Sequence, residues 1–400
     1  MRTEVTVDEA QRLAADHLPA LGIEQVPLLE AYGRVLASDL VAQVDHPGAD
    51  NSSMDGYAVR ALDTQAATPE APVRLELVEE IPAGYLPQRP LGPGQAARIM
   101  TGGILPPLAD AVVRLEDTRS SGAVVEVLAP AKQADVRRRG EDFFQGQVGL
   151  VAGTCLGPAQ VGFAASMGYA ALPVRRQPRV AVLSTGSEVV EPGQPLAPTQ
   201  VYNSNTYTLA GMVQQCGGVP LVLGAASDEP ELLRQQLHRA AQHDLIMTSG
   251  AVSVGQYDLV RQLLEEEAAL YFWKVQLRPG SPVLFGAWQG RPLWGLPGNP
   301  VAAAVVAAVL VRPYLYRALG RNDPPHQVVR ALAEGPFRAA SRPVLFVRIC
   351  LEQRAGRYYA RSTGPQGSGI LKSLVLANAL AMIPPGRSVA PGDELDALLL

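Results

Sequence analysis

Four hundred residues, 47% of them hydrophobic and 18% charged, make a globular chain too long for a single core, so two to four domains are expected. A chain of this size buries about three quarters of its unfolded surface and needs neither disulfides nor a metal to stay folded. The formal net charge of −4 argues against a general nucleic-acid binder, so any anion site must be a local cationic cluster.

The first 44 residues read as helical, with Thr6 as a cap and Glu9 three residues on as its capping-box partner. They lack the apolar stretch of a secretory leader. From about 45 to 140 short β-rich runs ("VRLELVEEI", "AARIM", "AVVRLED", "AVVEVLAP") alternate with Gly and Pro clusters, which predicts a small β module. It is inserted between residues 1–44 and 141–176, which together form a helical, elongated segment. From 177 to 322 strands and helices alternate: "RVAVLST", "SNTYTLAGMVQQC", "VPLVLGAA", "EPELLRQQLHRAA", "HDLIMTSG", "QYDLVRQLLEEE". That order predicts a parallel, doubly wound α/β sheet ending in a long helix with Pro300 in its first turn. Residues 323–400, which begin within the Pro-containing "RNDPPHQ", return to short β runs and predict a C-terminal β barrel. The fold class is therefore multidomain α/β and β.

Cys155, Cys216 and Cys350 are too far apart for a disulfide framework or a zinc site, and the five histidines lack metal-ligand spacing. The longest apolar run, Val301–Val311, falls short of the roughly 20 residues of a membrane span, so a cytoplasmic protein is expected. Only Lys132, Lys274 and Lys372 are lysines among 34 basic residues.

In open α/β sheets ligands bind at the carboxyl ends of the strands. Four loops lie there: Thr185-Gly186-Ser187-Glu188, Ser227-Asp228, Thr248 to Gly255 (with Ser249, Gly250 and Ser253), and Pro297-Gly298-Asn299-Pro300. Small residues let backbone N–H groups approach a phosphate, and a following helix start favours it; none of these loops fits a dinucleotide fingerprint or a P-loop. "RRRGED" sets Arg137 and two further guanidinium groups beside Glu141 and Asp142, which reads as an anion clamp next to a cation ligand, with a solvated interdomain linker as the alternative. In "FWKVQLRPGSP" Lys274 and Arg278 stand four apart, which on a strand puts both on one face. "NSSMDGYAVR" places Asp55 before Gly56, a pair that also suits a plain hairpin turn. Asp55, Asp142, Glu188, Asp228 and Asp258 all sit in or beside loops, and carboxylates near phosphates commonly hold Mg²⁺.

Together these segments resemble the molybdopterin molybdenumtransferases, the family that includes the E domain of gephyrin. The similarity spans nearly the whole chain through "NSSMDGYAVR", "RIMTGGILPPLADAVV", "RRRGEDF", "VLSTGSEV", "TSGAVSVGQYD", "FWKVQLRPGSP", "GLPGNPVAA" and "TGPQGSG", in that order. The resemblance implies a four-part L-shaped protomer in a homodimer. It implies Mg²⁺-dependent insertion of molybdate into adenylylated molybdopterin with release of AMP, with no nucleic acid or membrane involved. Carried over by position, Asp55 and Thr101 match functional residues of the β module, and Arg137 and Asp142 match the Arg-Arg-Gly-Glu-Asp stretch. Glu188, Asp228, Asp258, Lys274 and Arg278 match site positions of the α/β domain, and Arg348 and Ser368 match positions of the C-terminal module. Asp228 and Asp258 are the expected metal ligands; Thr185, Ser249, Gly250, Ser253, Pro297 and Asn299 complete the expected substrate contacts. Asp55 is then expected to line a cleft facing the α/β domain of the partner subunit, with Gly56 making the bend that presents it.

Three stretches depart from the family pattern. Ala251 stands where a second Gly is usual, Ser53 where Ala is usual, and "RPGSP" where Lys-Pro-Gly-Lys-Pro is usual. Arg278 keeps its charge, whereas Ser281 loses a cation outright. Two other readings stay open on sequence alone: a scaffold that uses the same fold as a binding surface, and a nucleotide-binding kinase or adenylyltransferase.

Overall fold

The computed structural model describes residues 2–226, 229–250, 259–267 and 269–400. The apolar runs of the α/β region become a seven-stranded sheet in the order Arg2–Val5, Ala269–Val275, Leu284–Trp288, Arg291–Leu296, Leu245–Ser249, Arg179–Thr185, Val219–Ala226. Its strands alternate between two cores, as a doubly wound sheet requires. Val180 and Val182 pack with helices Val7–Ala15, Asn205–Gln215 and Pro300–Ala318; Ala181 and Leu183 pack with Pro230–Ala240 and Leu259–Glu267. The sheet is not wholly parallel. Leu284–Trp288 runs antiparallel to both neighbours, because Gln289 and Gly290 close a two-residue turn with φ of 48° and 75°.

The helical texture of residues 1–44 resolves into one helix, Val7–Ala15, flanked by strands. Thr6 caps it as expected: its backbone N–H donates to Glu9 Oε2 at 2.8 Å, and the Glu9 N–H donates to Thr6 Oγ1 at 3.2 Å. Strand Arg2–Val5 pairs in parallel with Ala269–Val275, so the chain begins on the edge of the α/β sheet rather than in the elongated segment. That segment has its own core, built from both stretches of sequence: Val26, Leu36 and Leu40 pack with Phe143, Leu156 and Leu172. It contains helix Pro158–Ser166 and short antiparallel pairs, Ile23–Pro27 with Ala171–Arg175 and Leu40–Val41 with Val148–Leu150.

The inserted module is a six-stranded sheet ordered Ala111–Arg114, Gly56–Val59, Gln95–Ile99, Val73–Ile81, Val124–Val127, Thr118–Ser121. In the C-terminal region Val344–Arg354 pairs on one side with Arg357–Ser362 and on the other with Ala379–Ile383; through Val328–Ala333 and Glu394–Leu399 the five strands close into a barrel. Leu277–Arg278 adds to that barrel in parallel, against Val344 and Leu345, and so fastens it to the α/β layer. The helix Pro300–Ala318 is 19 residues long and apolar enough, by length and composition, to cross a membrane; 83% of its apolar stretch is buried in the fold, where it forms the spine of the larger core.

Candidate active site

At the carboxyl edge of the sheet three loops are stacked. Gly250 has φ of 100°, and a β-carbon there would lie 2.4 Å from the Thr185 carbonyl oxygen. Gly298 packs on the other side, its own β-carbon position 3.5 Å from the Gly250 Cα. The hydroxyls expected to meet substrate point inward instead. Ser249 Oγ donates to the Pro297 carbonyl at 3.1 Å, Thr185 Oγ1 reaches the Ser249 carbonyl at 3.4 Å, and both residues are buried. Asn205, which sequence reasoning missed, ties two loops together: its Nδ2 donates to Ser249 Oγ at 2.7 Å and to the Gly298 carbonyl at 2.8 Å. Only its position at a helix start hinted at such a role. What Thr185, Ser249 and Gly250 can offer a ligand is therefore backbone and shape.

Beside this edge lies a recess of about 470 Å³ whose walls include Arg278, Ser281, Pro297, Asn299, Gln366 and Ser368. Arg278 is its one cation, and no carboxylate lines it among the described residues. The barrel supplies the far wall: the Ser368 carbonyl accepts from the Val301 N–H at 3.1 Å, in the first turn of the long helix. Arg348 stands behind that wall. Its guanidinium is 1% exposed, donates from Nε to Ser373 Oγ at 3.1 Å and from Nη2 to the Gly367 carbonyl at 3.0 Å, and makes no ion pair with a described residue. Burial pulls its pKa below the ordinary arginine value. Gln366 clips the same stretch by accepting from the Arg348 N–H at 2.9 Å and donating to its carbonyl at 3.1 Å. Arg348 thus braces the Gln366–Ser368 wall rather than lining the recess itself.

Lys274 and Arg278 do not share one strand face. The strand ends at Val275, Lys274 takes a left-handed φ of 63°, and its ammonium lies 4.2 Å from the centre of the Trp273 ring. Glu188 is exposed, and its carboxylate folds back over Gly186: a β-carbon on Gly186 would sit 2.6 Å from Glu188 Oε2. Asp228, Asp258 and Ser253 lie outside the described residues.

A second recess of about 400 Å³ opens where the inserted module meets the elongated segment, lined by His46, Pro47, Asn51, Arg137, Glu141 and Asp142. The three consecutive arginines divide their work. Arg138 Nη1 donates to Asp50 Oδ2 at 2.7 Å and Arg139 Nε donates to Asp45 Oδ2 at 2.5 Å, while Arg137 lines the recess without an ion pair to a described residue. Strand Val136–Arg137 holds it there through its antiparallel pairing with Asn51–Ser52. In the same module Asp55 Oδ1 accepts from the Thr101 N–H at 2.7 Å and from Thr101 Oγ1 at 2.9 Å. The Thr101 backbone and then its hydroxyl hold the Asp55 carboxyl below the usual carboxylate range. Gly56 does not make the expected bend; it opens a strand. It is glycine because a β-carbon would lie 2.0 Å from the Val113 carbonyl oxygen on the neighbouring strand.

Against known proteins, residues 5–168 match the MoeA N-terminal region (domain I and II), residues 181–317 a probable molybdopterin binding domain, and residues 330–400 the MoeA C-terminal region (domain IV). The chain is 40% identical over 403 residues to molybdopterin molybdenumtransferase 2 of Mycobacterium tuberculosis, covering 98% of each, and 35% identical over 408 residues to the Bacillus subtilis molybdopterin molybdenumtransferase, covering all of this chain and 95% of that one. The chain belongs to the molybdopterin molybdenumtransferase family. The crystal structure of the molybdopterin biosynthesis MoeA protein from Pyrococcus horikoshii superposes with a TM-score of 0.84 at 31% identity, covering 99% of each chain. Like its relatives, this molybdenumtransferase is an enzyme of molybdenum cofactor biosynthesis.

Of the residues expected at its site, Arg278, Pro297, Asn299 and Ser368 meet in the first recess, and Arg137 and Asp142 in the second. Asp55 and Thr101 join each other, and Thr185, Ser249 and Gly250 form the braced edge.

Proposed function

We propose that this chain inserts molybdate into adenylylated molybdopterin and releases AMP, as a Mg²⁺-dependent homodimer. The observation that carries the reading is the first recess: one guanidinium, backbone-rich loops and no described carboxylate, at the carboxyl edge of a sheet whose family is that of molybdopterin binding. Both substrates are anions. Bringing two charges to 4 Å costs about 1 kcal/mol per pair in water and several times that near protein, so cations must be supplied. Arg278 and Lys274 hold the oxyanion on the α/β side, and the Arg348-braced wall limits its size. The loops around Gly250 and Gly298 take the terminal phosphate through backbone N–H groups.

The second recess supplies the remaining groups. Arg137, the member of its triplet with no ion pair to a described residue, grips the pyrophosphate bridge. Asp55, kept ionised by Thr101, and Asp142 orient donor groups of the substrate. In the homodimer this surface faces the α/β edge of the partner subunit. Asp228 and Asp258, two hard oxygen donors, would hold Mg²⁺, which would supply charge neutralisation and Lewis acidity at the phosphate bridge. No nucleophilic serine or cysteine takes part; a water oxygen bonds to the adenylyl phosphorus as its bond to the molybdopterin phosphate oxygen breaks, and AMP leaves without a covalent enzyme intermediate.

The test is direct. Purified protein, adenylylated molybdopterin and Mg²⁺ should release AMP only when molybdate is added. Asp258→Asn should abolish release while keeping the thermal transition. Release that ignores molybdate, or full activity in Asp258→Asn, would overturn the reading.

A further inference from the structure

We infer that Trp273 is a positioning residue for the reaction: its indole face fixes where the Lys274 ammonium meets the oxyanion substrate. The inference rests on the functional reading above, in which Lys274 is a substrate-binding cation.

On a regular strand neighbouring side chains point to opposite faces. Trp273 and Lys274 sit together in the strand Ala269–Val275, yet Lys274 Nζ lies only 4.2 Å from the centre of the Trp273 ring. The left-handed backbone of Lys274, with φ of 63°, breaks the alternation and brings the ammonium back over its own predecessor. A non-glycine residue rarely adopts such a conformation, and it persists only where its surroundings hold it. Here the Lys274 N–H donates to the Val283 carbonyl at 2.9 Å and the Val275 N–H to the Ser281 carbonyl at 3.0 Å. The same backbone clasp therefore fixes both Lys274 and the Ser281 turn that lines the first recess.

The ring itself is held. The Arg261 guanidinium lies 3.9 Å from its centre and is tied by Nε to Glu265 Oε1 at 2.9 Å. Two cations on one indole is an arrangement in which the ring quadrupole offsets part of their repulsion, and tryptophan gives the strongest such face of any side chain. Stability alone does not call for tryptophan at this position. Its Nε1–H is buried and has no acceptor among the described residues, a loss that phenylalanine would avoid. A long, flexible lysine would otherwise sample many rotamers; stacking removes that freedom before substrate arrives, which favours binding of the anion.

The experiment replaces Trp273 in the full-length chain with 5,6,7-trifluorotryptophan, which keeps the ring and weakens its negative face, and measures AMP release against molybdate concentration. The KM for molybdate should rise about threefold to tenfold, with kcat and Tm near wild type. Trp273→Leu should raise it further, and Trp273→Phe should fall between. A trifluorotryptophan protein with wild-type KM overturns the inference, because packing alone would leave KM unmoved. Lys274→Ala separates the two layers. If it keeps wild-type KM, the reading of Lys274 as a substrate-binding residue fails; if it is impaired while every Trp273 variant is normal, only the role of Trp273 fails.

Discussion

Gly250→Ala is the sharpest perturbation of the loop edge. Residue 250 has φ of 100°, and an added β-carbon would lie 2.4 Å from the Thr185 carbonyl oxygen and 2.7 Å from Thr185 Oγ1. Ordinary contact begins near 3.4 Å, so the Thr185 and Ser249 loops must part by roughly 1 Å. The backbone strain costs about 1–3 kcal/mol and the overpacking a similar amount. At about 2–4 °C per kcal/mol for a domain of this size, Tm should fall by roughly 5–20 °C. An error of about 1 Å at a reacting centre can cost about a hundredfold in rate, so the kcat of AMP release should drop more steeply than stability alone would require. Gly290→Ala is the control. Gly290 has φ of 75° but no atom within 4 Å of its β-carbon position, and it lies in the hairpin turn at the other end of strand Arg291–Leu296. It should cost about 1 kcal/mol and leave turnover intact. Calorimetry and AMP release on both variants decide the matter: a Gly250→Ala protein with wild-type Tm and turnover would refute the claim that these loops must touch.

Two further outcomes follow from named side chains. Ser281→Lys adds a second cation to a recess whose only described one is Arg278, and should tighten molybdate binding by about tenfold in calorimetric titration; unchanged affinity would mean that the oxyanion binds elsewhere. His326 is half-buried, and burial first, then the Arg312 charge, push its pKa down to about 4 against a smaller opposing pull from the Ala308 backbone. The unfolded chain protonates near 6.5, so this contribution to stability is complete above that pH and is lost as pH falls toward 4, by about 2 kcal/mol at pH 5. Denaturant titrations should therefore show wild type losing about 2 kcal/mol relative to His326→Leu between pH 7 and pH 5, and parallel curves would exclude the effect.

The central strands were readable because their runs are continuous, apolar and evenly interleaved with helices: Arg179–Thr185, Val219–Ala226 and Leu245–Ser249 all stand where the pattern put them. Long-range pairing was not readable. Arg2–Val5 shows a strand only because Ala269–Val275, far away in sequence, offers it an edge, and no local period encodes that. The site divided the same way. Motifs pointed to the loops and to Arg278, but not to which hydroxyls turn inward, since Ser249 and Thr185 find their acceptors only after the loops stack. Arg348 was expected among the substrate contacts but is buried at 1% exposure; Ser373 and the Gly367 carbonyl make that possible, and neither is near it in sequence. The bond between Asp55 and Thr101 spans 46 residues and rests on the antiparallel pairing of Gly56 with Ile99. The left-handed turn at Lys274 overrode the expectation that it and Arg278 would share a face.

On the proposed mechanism the pocket is completed by two subunits, with Arg137 of one protomer facing the cleft that holds Asp258 of the other. Arg137→Ala and Asp258→Asn proteins, each inactive alone, should regain about a quarter of wild-type AMP release when refolded as an equal mixture, because half the dimers then hold one intact cleft. A mixture as inactive as its parents would contradict a shared site.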